Sequence, residues 1–270
     1  MGRQENVAIF EDTRKHFKTN PIIANAIKLS NDHQEVFLEG VPVLPKPEPN
    51  AEAASVIVSR RRSFEAAWRY MGYETCVLNF ASATNPGGGV LWGSTAQEEC
   101  LCRCSTLYAS LTAPVAWWKF YEPHQEQRNP LYSDDCIYTP DVLVFKTDTK
   151  TPTLLDPEDW MQCNVITCAA PNLRPMHEGR THVAVTDAEL KELHVQRIRR
   201  ILTIAASRGN EVVILGAYGC GAFQNPPEIV ASAMAQAVEE FKYYFRVIEF
   251  AVYCSPRDER NYEVFKEILG

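Results

Sequence analysis

Residues Asn85 to Glu99 read Asn-Pro-Gly-Gly-Gly-Val-Leu-Trp-Gly-Ser-Thr-Ala-Gln-Glu-Glu. The chemistry of that stretch lies at its two ends. Gly87, Gly88 and Gly89 leave the backbone free to take positive φ and to press close against a ligand. Three glycines in a row exceed what a simple turn requires. Glu98 and Glu99 are adjacent carboxylates, the group type that moves protons in hydrolysis. Glycines that admit a ligand and acids that act on it point to one site holding both a binder and a catalyst.

A second glycine loop, Gly216-Ala217-Tyr218-Gly219-Cys220-Gly221-Ala222-Phe223, runs through Asn225-Pro226-Pro227 into a helix. Proline suits the first helical position, and glycines between a strand and a helix turn backbone N–H groups toward phosphate. The spacing is not that of the dinucleotide fingerprint, and the Gly-Lys-Ser/Thr of a P-loop is missing. Phe223 is either core material or a face for a ligand's sugar or base.

The elements that must carry these loops follow from periodicity. Strands are expected at Thr75–Phe80, Asp141–Phe145, Val165–Ala170, Glu211–Leu215 and Val247–Tyr253. Helices are expected at Ser94–Leu111, Thr186–Arg208, Pro227–Tyr243 and Glu259–Leu269. Their alternation implies a layered α/β domain with a largely parallel or mixed sheet. Both glycine loops directly follow strands, where ligands of such sheets gather. Ser94 and Gln97 form a capping-box pattern, with Ser94 as N-cap and Gln97 at N3. Glu98 and Glu99 then fall in the first turns, where the helix dipole favours carboxylate anions. Neighbours on a helix differ by about 100° in direction, so the two acids do different jobs.

Ahead of these elements, Asn6–Leu38 has mixed helical character cut by Pro21, and Pro42, Pro45, Pro47 and Pro49 make Gly40–Asn50 an extended connector. Residues 1–50 are expected to be an accessory segment packed on a catalytic domain spanning 51–270. Arg60-Arg61-Arg62 reads as a solvated helix face, and Trp117–Asp135 as a polar loop.

With 46% hydrophobic and 23% charged residues, the composition is that of a globular protein with a substantial core. A formal charge of −7 argues against broad phosphate neutralisation on nucleic acid, while leaving room for an anion held by loop amides. The nine cysteines and the lack of a signal peptide point to a reducing compartment, cytoplasmic or nuclear. Cys100, Cys102 and Cys104 resemble a metal cluster, but on a helix Cys102 points away from the other two. No Cys-x-x-Cys pair is present, so these thiols are expected to be structural. No run reaches the ~20 apolar residues that a bilayer requires.

Gly87-Gly88-Gly89, then seven residues, then Gln97-Glu98-Glu99 resembles the signature of poly(ADP-ribose) glycohydrolases. Leu78-Asn79-Phe80-Ala81-Ser82-Ala83, Thr139-Pro140-Asp141-Val142, Ala169-Ala170-Pro171-Asn172 and the second loop resemble the compact microbial-type branch of that family. The resemblance covers most of the chain. It implies a macrodomain-like three-layer α/β/α fold with a mixed central sheet and an N-terminal accessory helical segment. It also implies binding of ADP-ribose and hydrolysis of the ribose–ribose O-glycosidic bond, releasing ADP-ribose without a metal or cofactor.

By that resemblance Glu99 is the catalytic acid and Glu98 holds the ribose beside the scissile bond. Gly219, Cys220, Gly221 and Ala222 embrace the pyrophosphate, and Phe223 packs on the terminal ribose. Asn85, Asn79, Gln97 and the three glycines complete the implied substrate contacts. Cys100 and Cys104 depart from the pattern by placing thiols around the acids. The implied partner is ADP-ribose or its polymer on modified proteins, with nucleic acid a partner only as an ADP-ribosylated substrate. Two other readings stand beside this one: a mono-ADP-ribosyl hydrolase acting on modified protein or nucleic acid, and a non-catalytic ADP-ribose-binding module.

Overall fold

The computed structural model describes residues 2–44, 47–175 and 184–270. Seven strands form one sheet: β1 (Glu35–Phe37), β2 (Ser55–Ser59), β3 (Thr75–Phe80), β4 (Cys136–Val144), β5 (Met161–Cys168), β6 (Val212–Leu215) and β7 (Val247–Ala251). Their order is β1-β4-β5-β3-β6-β7-β2. The β5-β3-β6-β7-β2 pairings are all parallel, and β4 runs antiparallel to both of its neighbours. The sheet is therefore mixed, and the carboxyl ends of β3, β5 and β6 lie side by side at one edge.

Two helical layers cover it. On one face lie α8 (Asp187–Ser207), α9 (Pro227–Phe241) and α10 (Arg260–Leu269). The other carries α1 (Arg3–Thr19), α3 (Ser63–Ala67), α4 (Gln97–Cys104), α5 (Leu107–Leu111) and α6 (Pro114–Ala116), with α2 (Pro21–Asp32) and α7 (Glu122–Gln127) beside them. Successive residues of a strand point to opposite faces, and the two cores divide accordingly. Cys76 and Leu78 of β3 and Val213 and Leu215 of β6 meet Ile198, Leu202 and Met234 on one side. Val77, Val212 and Ile214 meet Phe64, Leu101 and Phe120 on the other. In β4 the register shifts between Thr139 and Val142, because Pro140 has no N–H to give to the ladder. Asp141 takes φ +52° there, with its N–H donating to Asn164 Oδ1 at 3.1 Å.

Several local expectations are corrected. The helix expected over Ser94–Leu111 is two helices, α4 and α5. Between them Thr106 N–H donates to Leu143 O, and Leu143 N–H donates to Thr106 Oγ1, both at 3.0 Å. Those bonds to β4 replace the helical ladder. The stretch Trp117–Asp135 is half helical, with a π-turn at Trp117–Tyr121 leading into α7. Arg60–Arg62 lie between β2 and α3, not on a helix face. The segment ahead of the proline connector supplies the edge strand β1 as well as α1 and α2. Pro42, Pro47 and Pro49 stand in stretches without helix or strand; Pro45 lies outside the described residues.

The N-terminal helix is stitched to the site-bearing layer. Phe10 is fully buried and meets Tyr108 edge-on at 4.9 Å. Thr13 Oγ1 donates to Arg103 O at 2.7 Å, and Asn6 Nδ2 to Gly93 O at 3.0 Å. Truncating a buried phenylalanine costs about 3–5 kcal/mol. Phe10→Ala is accordingly expected to lower stability by that amount while keeping one cooperative transition in urea, followed by circular dichroism. An unchanged midpoint would show that α1 is not part of the folded unit.

Candidate active site

The first loop leaves β3 and returns as α4. The N-cap of α4 is Ala96, which makes no side-chain cap. The expected capping box at Ser94 and Gln97 does not form, because Gly93 at φ +74° turns the chain and Ser94 N–H donates to Gly89 O instead. Gln97 opens the helix. Its Oε1 accepts from Phe80 N at 2.9 Å, while Nε2 donates to Leu78 O at 2.8 Å and Ser63 Oγ at 2.9 Å. Although Gln97 lies at the wall of the cleft, both ends of its amide are engaged. It is a clamp between α4 and the end of β3.

The two acids diverge as their helical spacing predicts. Glu99 lines a cleft of about 970 Å³ between the two glycine loops. Gly89 N–H donates to its Oε1 at 2.8 Å, and its Oε2 is buried without a partner. Glu98 turns inward. Ser82 N–H donates to its Oε2 at 2.8 Å, and Asn79 Nδ2 to its Oε1 at 3.3 Å. Burial pushes the Glu98 carboxyl up to about 8, against the N–H groups of Ser82 and Gly87 and the amide of Asn79; the charge of Glu99 adds to the rise. Asn79 also donates to Thr167 Oγ1 at 3.2 Å, and its own Oδ1 has no partner. Turning that amide would present the oxygen to a protonated Glu98. Asn79 is fully buried and does not line the cleft; its amide meets Glu98 behind it.

The three glycines have three different jobs. Gly87, at φ +69°, packs on Tyr108, where a Cβ would lie 2.7 Å from the ring. Gly88, at φ +59°, leaves the space taken by both carboxyl groups: a Cβ there would lie 2.5 Å from Oε1 of Glu99 and 3.0 Å from Oε2 of Glu98. Gly89 supplies the N–H that holds Glu99. Gly88, Gly89 and Asn85 line the cleft, whereas Gly87 and Glu98 do not.

Across the cleft, the second loop leaves β6. The N–H groups of Gly219, Gly221, Ala222 and Phe223 have no acceptor among the described residues, and these residues line the cleft. Cys220 does not; its thiol turns to Tyr218 O at 3.8 Å, which corrects the contact expected there. Asn225 holds the loop from below, its Nδ2 donating to Gly219 O at 3.0 Å and to Pro171 O at 2.7 Å. His194 Nε2 in turn lies 2.9 Å from Asn225 Oδ1. Burial lowers His194 to about 4, so it is neutral and donates that proton. Buried Arg197 ties Asp134 Oδ1 at 2.8 Å and Ala169 O at 2.8 Å, fixing the loop that brings Tyr132 within 6.2 Å of Phe223.

Three further residues of the cleft carry no signal in the sequence. Arg62, Asp148 and Tyr253 line the cleft, from three segments with no shared motif. The Arg62 guanidinium sits 4.0 Å over the Tyr253 ring and 3.5 Å from Cys100 Sγ. Burial lifts the Asp148 carboxyl to about 6, opposed by Arg62. Burial likewise raises the Cys100 thiol, and among the described residues no group of three metal-ligating side chains occurs.

A profile of the microbial-type PARG catalytic domain matches residues 5–147. The structure is similar to that of poly(ADP-ribose) glycohydrolase from Thermomonospora curvata, with 30% identity, 98% of this chain and 99% of that chain covered, and a TM-score of 0.81. The chain belongs to the microbial-type PARG family. The same T. curvata glycohydrolase bound to the inhibitor ADP-HPD matches this PARG chain at 30% identity over the same shares, with a TM-score of 0.80. The glycohydrolase from Deinococcus radiodurans in complex with ADP-ribose matches at 30% identity, covering 90% of this chain and 96% of that chain, with a TM-score of 0.76. No curated protein matches the sequence.

The raised Glu98 carboxyl makes the stability of this PARG domain pH-dependent. A group raised from 4.5 to about 8 stabilises the fold fully below 4.5 and loses that contribution as pH climbs through about 8. Glu98→Gln, which cannot ionise, is expected to flatten the fall in melting temperature between about pH 5 and about pH 9. Parallel slopes for the two proteins in differential scanning fluorimetry would contradict the assignment.

Proposed function

We propose that this chain hydrolyses the ribose–ribose O-glycosidic bonds of ADP-ribose polymers on modified proteins, releasing ADP-ribose, with Glu99 as the catalytic acid. The observation that carries the reading is the state of Glu99: one oxygen is held by Gly89 N–H, the other is buried without a partner, and the residue lines a cleft between two glycine loops. Family membership and the likeness to a glycohydrolase in complex with ADP-ribose support the same substrate.

In this mechanism the terminal ribose lies against Gly88 and Gly89, beside Asn85. The pyrophosphate takes the unpartnered N–H groups of Gly219, Gly221 and Ala222, an anion cradle of the kind that successive backbone amides form. Phe223 covers the ribose, and Tyr253 is left for adenine. Oε2 of Glu99 gives its proton to the departing oxygen as positive charge develops on the anomeric carbon, then takes one from water. Glu98 is a positioning group, which holds the loop from Ser82 to Gly87 against the acid. The nine cysteines are all free thiols, which supports a place in the cytoplasm or nucleus.

Removing a positioned acid costs about 10²- to 10⁴-fold in rate. Glu99→Gln is expected to slow ADP-ribose release from polymer by that factor while ADP-ribose still binds. Unchanged release, measured on purified protein by chromatography of the products, would overturn the assignment.

A further inference from the structure

Trp92 stands at the rim of the cleft with 66% of its surface exposed, while Val90, two residues earlier in the same turn, is fully buried. The ring is carried by a short 3₁₀ turn, Val90–Trp92, in which Trp92 N–H donates to Gly89 O at 3.0 Å. Gly89 is the residue that holds the carboxyl of Glu99. Beyond the turn, Gly93 O accepts from Asn6 Nδ2 of α1 at 3.0 Å, so the platform is fixed from both sides. Arg3, in the first turn of α1, lines the same end of the cleft, and its guanidinium has no partner among the described residues. Among the described residues, none covers the indole or pairs with the cation at this place.

The topology decides which part of a polymer would meet them. In the reading proposed above, the unit being released runs from the first loop after β3, across the second after β6, toward Tyr253 after β7, along the strand order β3-β6-β7. Trp92 belongs to the first loop, three residues past the Gly89 whose N–H holds the acid. The oxygen that Glu99 protonates belongs to the ribose of the next unit in the polymer. That ribose carries an adenine directly, so the base lies one sugar ring from the scissile bond.

We propose that Trp92 and Arg3 form a subsite for the leaving side of the polymer: the indole stacks the adenine of the unit next to the scissile bond, and Arg3 meets that unit's pyrophosphate. Base–aromatic stacking and a nearby cation are the usual means of holding a flexible nucleotide chain. The inference rests on the glycohydrolase reading of the site. It deepens that reading by making the enzyme select polymer over a single ADP-ribose, which has no second base to stack.

The test compares the affinity of short ADP-ribose oligomers and of monomeric ADP-ribose in the Glu99→Gln background, where turnover is blocked. Adding Trp92→Ala is expected to weaken oligomer binding about tenfold or more and leave monomer binding unchanged, which also shows that the fold is intact. Trp92→Phe, which keeps an aromatic face, should retain most of the oligomer affinity. Equal loss for both ligands, or no loss for either, overturns the subsite. The glycohydrolase reading is judged separately, by whether protein with Glu99 intact releases ADP-ribose from polymer; if it does and the affinities do not separate, only the subsite falls.

Discussion

A Cβ on Gly88 would lie 2.5 Å from one carboxyl of the acid pair and 3.0 Å from the other. The absence of that carbon lets the chain leave β3, turn at positive φ, and come back beside its own helix with two glutamates in between. Every other feature of the first loop follows from this shared space. Gly89 N–H reaches Glu99 because the turn is that tight. Ser82 N–H reaches Glu98 because the chain just after β3 passes under the same turn. Gln97 locks the arrangement, since its amide bridges Phe80, Leu78 and Ser63 at the start of α4.

The consequence is a division of labour between neighbouring carboxylates. One is buried among N–H donors with its affinity for a proton raised, and the other belongs to a residue that lines the cleft and keeps one buried oxygen unpartnered. An unsatisfied buried acceptor is costly, and Oε2 of Glu99 is one. The second loop obeys the same logic in reverse. Neutral His194 and Asn225 occupy the carbonyls from below, and the N–H groups above are left for a ligand. α1 buttresses the first loop through Asn6 and Thr13, which makes the N-terminal helix part of the site's support.

Much of this was legible because it is local. The Gly-Gly-Gly and Gln-Glu-Glu groups sit within one short stretch, and the strand periodicities placed β3 and β6 ahead of the two loops within a residue or so. What escaped was set by distant partners. Ser94 and Gln97 have cap chemistry, but a left-handed Gly93 and the pull of Phe80 and Leu78 gave those side chains other bonds. The break between α4 and α5 comes from pairing with β4, which no window of sequence contains. Arg62 reads as part of a charged run, and only the fold brings it over Tyr253 and beside Asp148. β1, three residues long, is too short to carry a period.

The central claim is that Glu99, held by Gly89, aims its free oxygen at the anomeric centre of a terminal ribose lying on the first glycine loop. A crystal structure of the ADP-ribose complex tests it most directly. The account predicts Oε2 of Glu99 within hydrogen-bond distance of the anomeric hydroxyl, Oε1 still on Gly89 N–H, and the pyrophosphate on the amides of Gly219 to Ala222. A complex in which Glu98 or another carboxylate meets that hydroxyl, with Glu99 turned away, would contradict it.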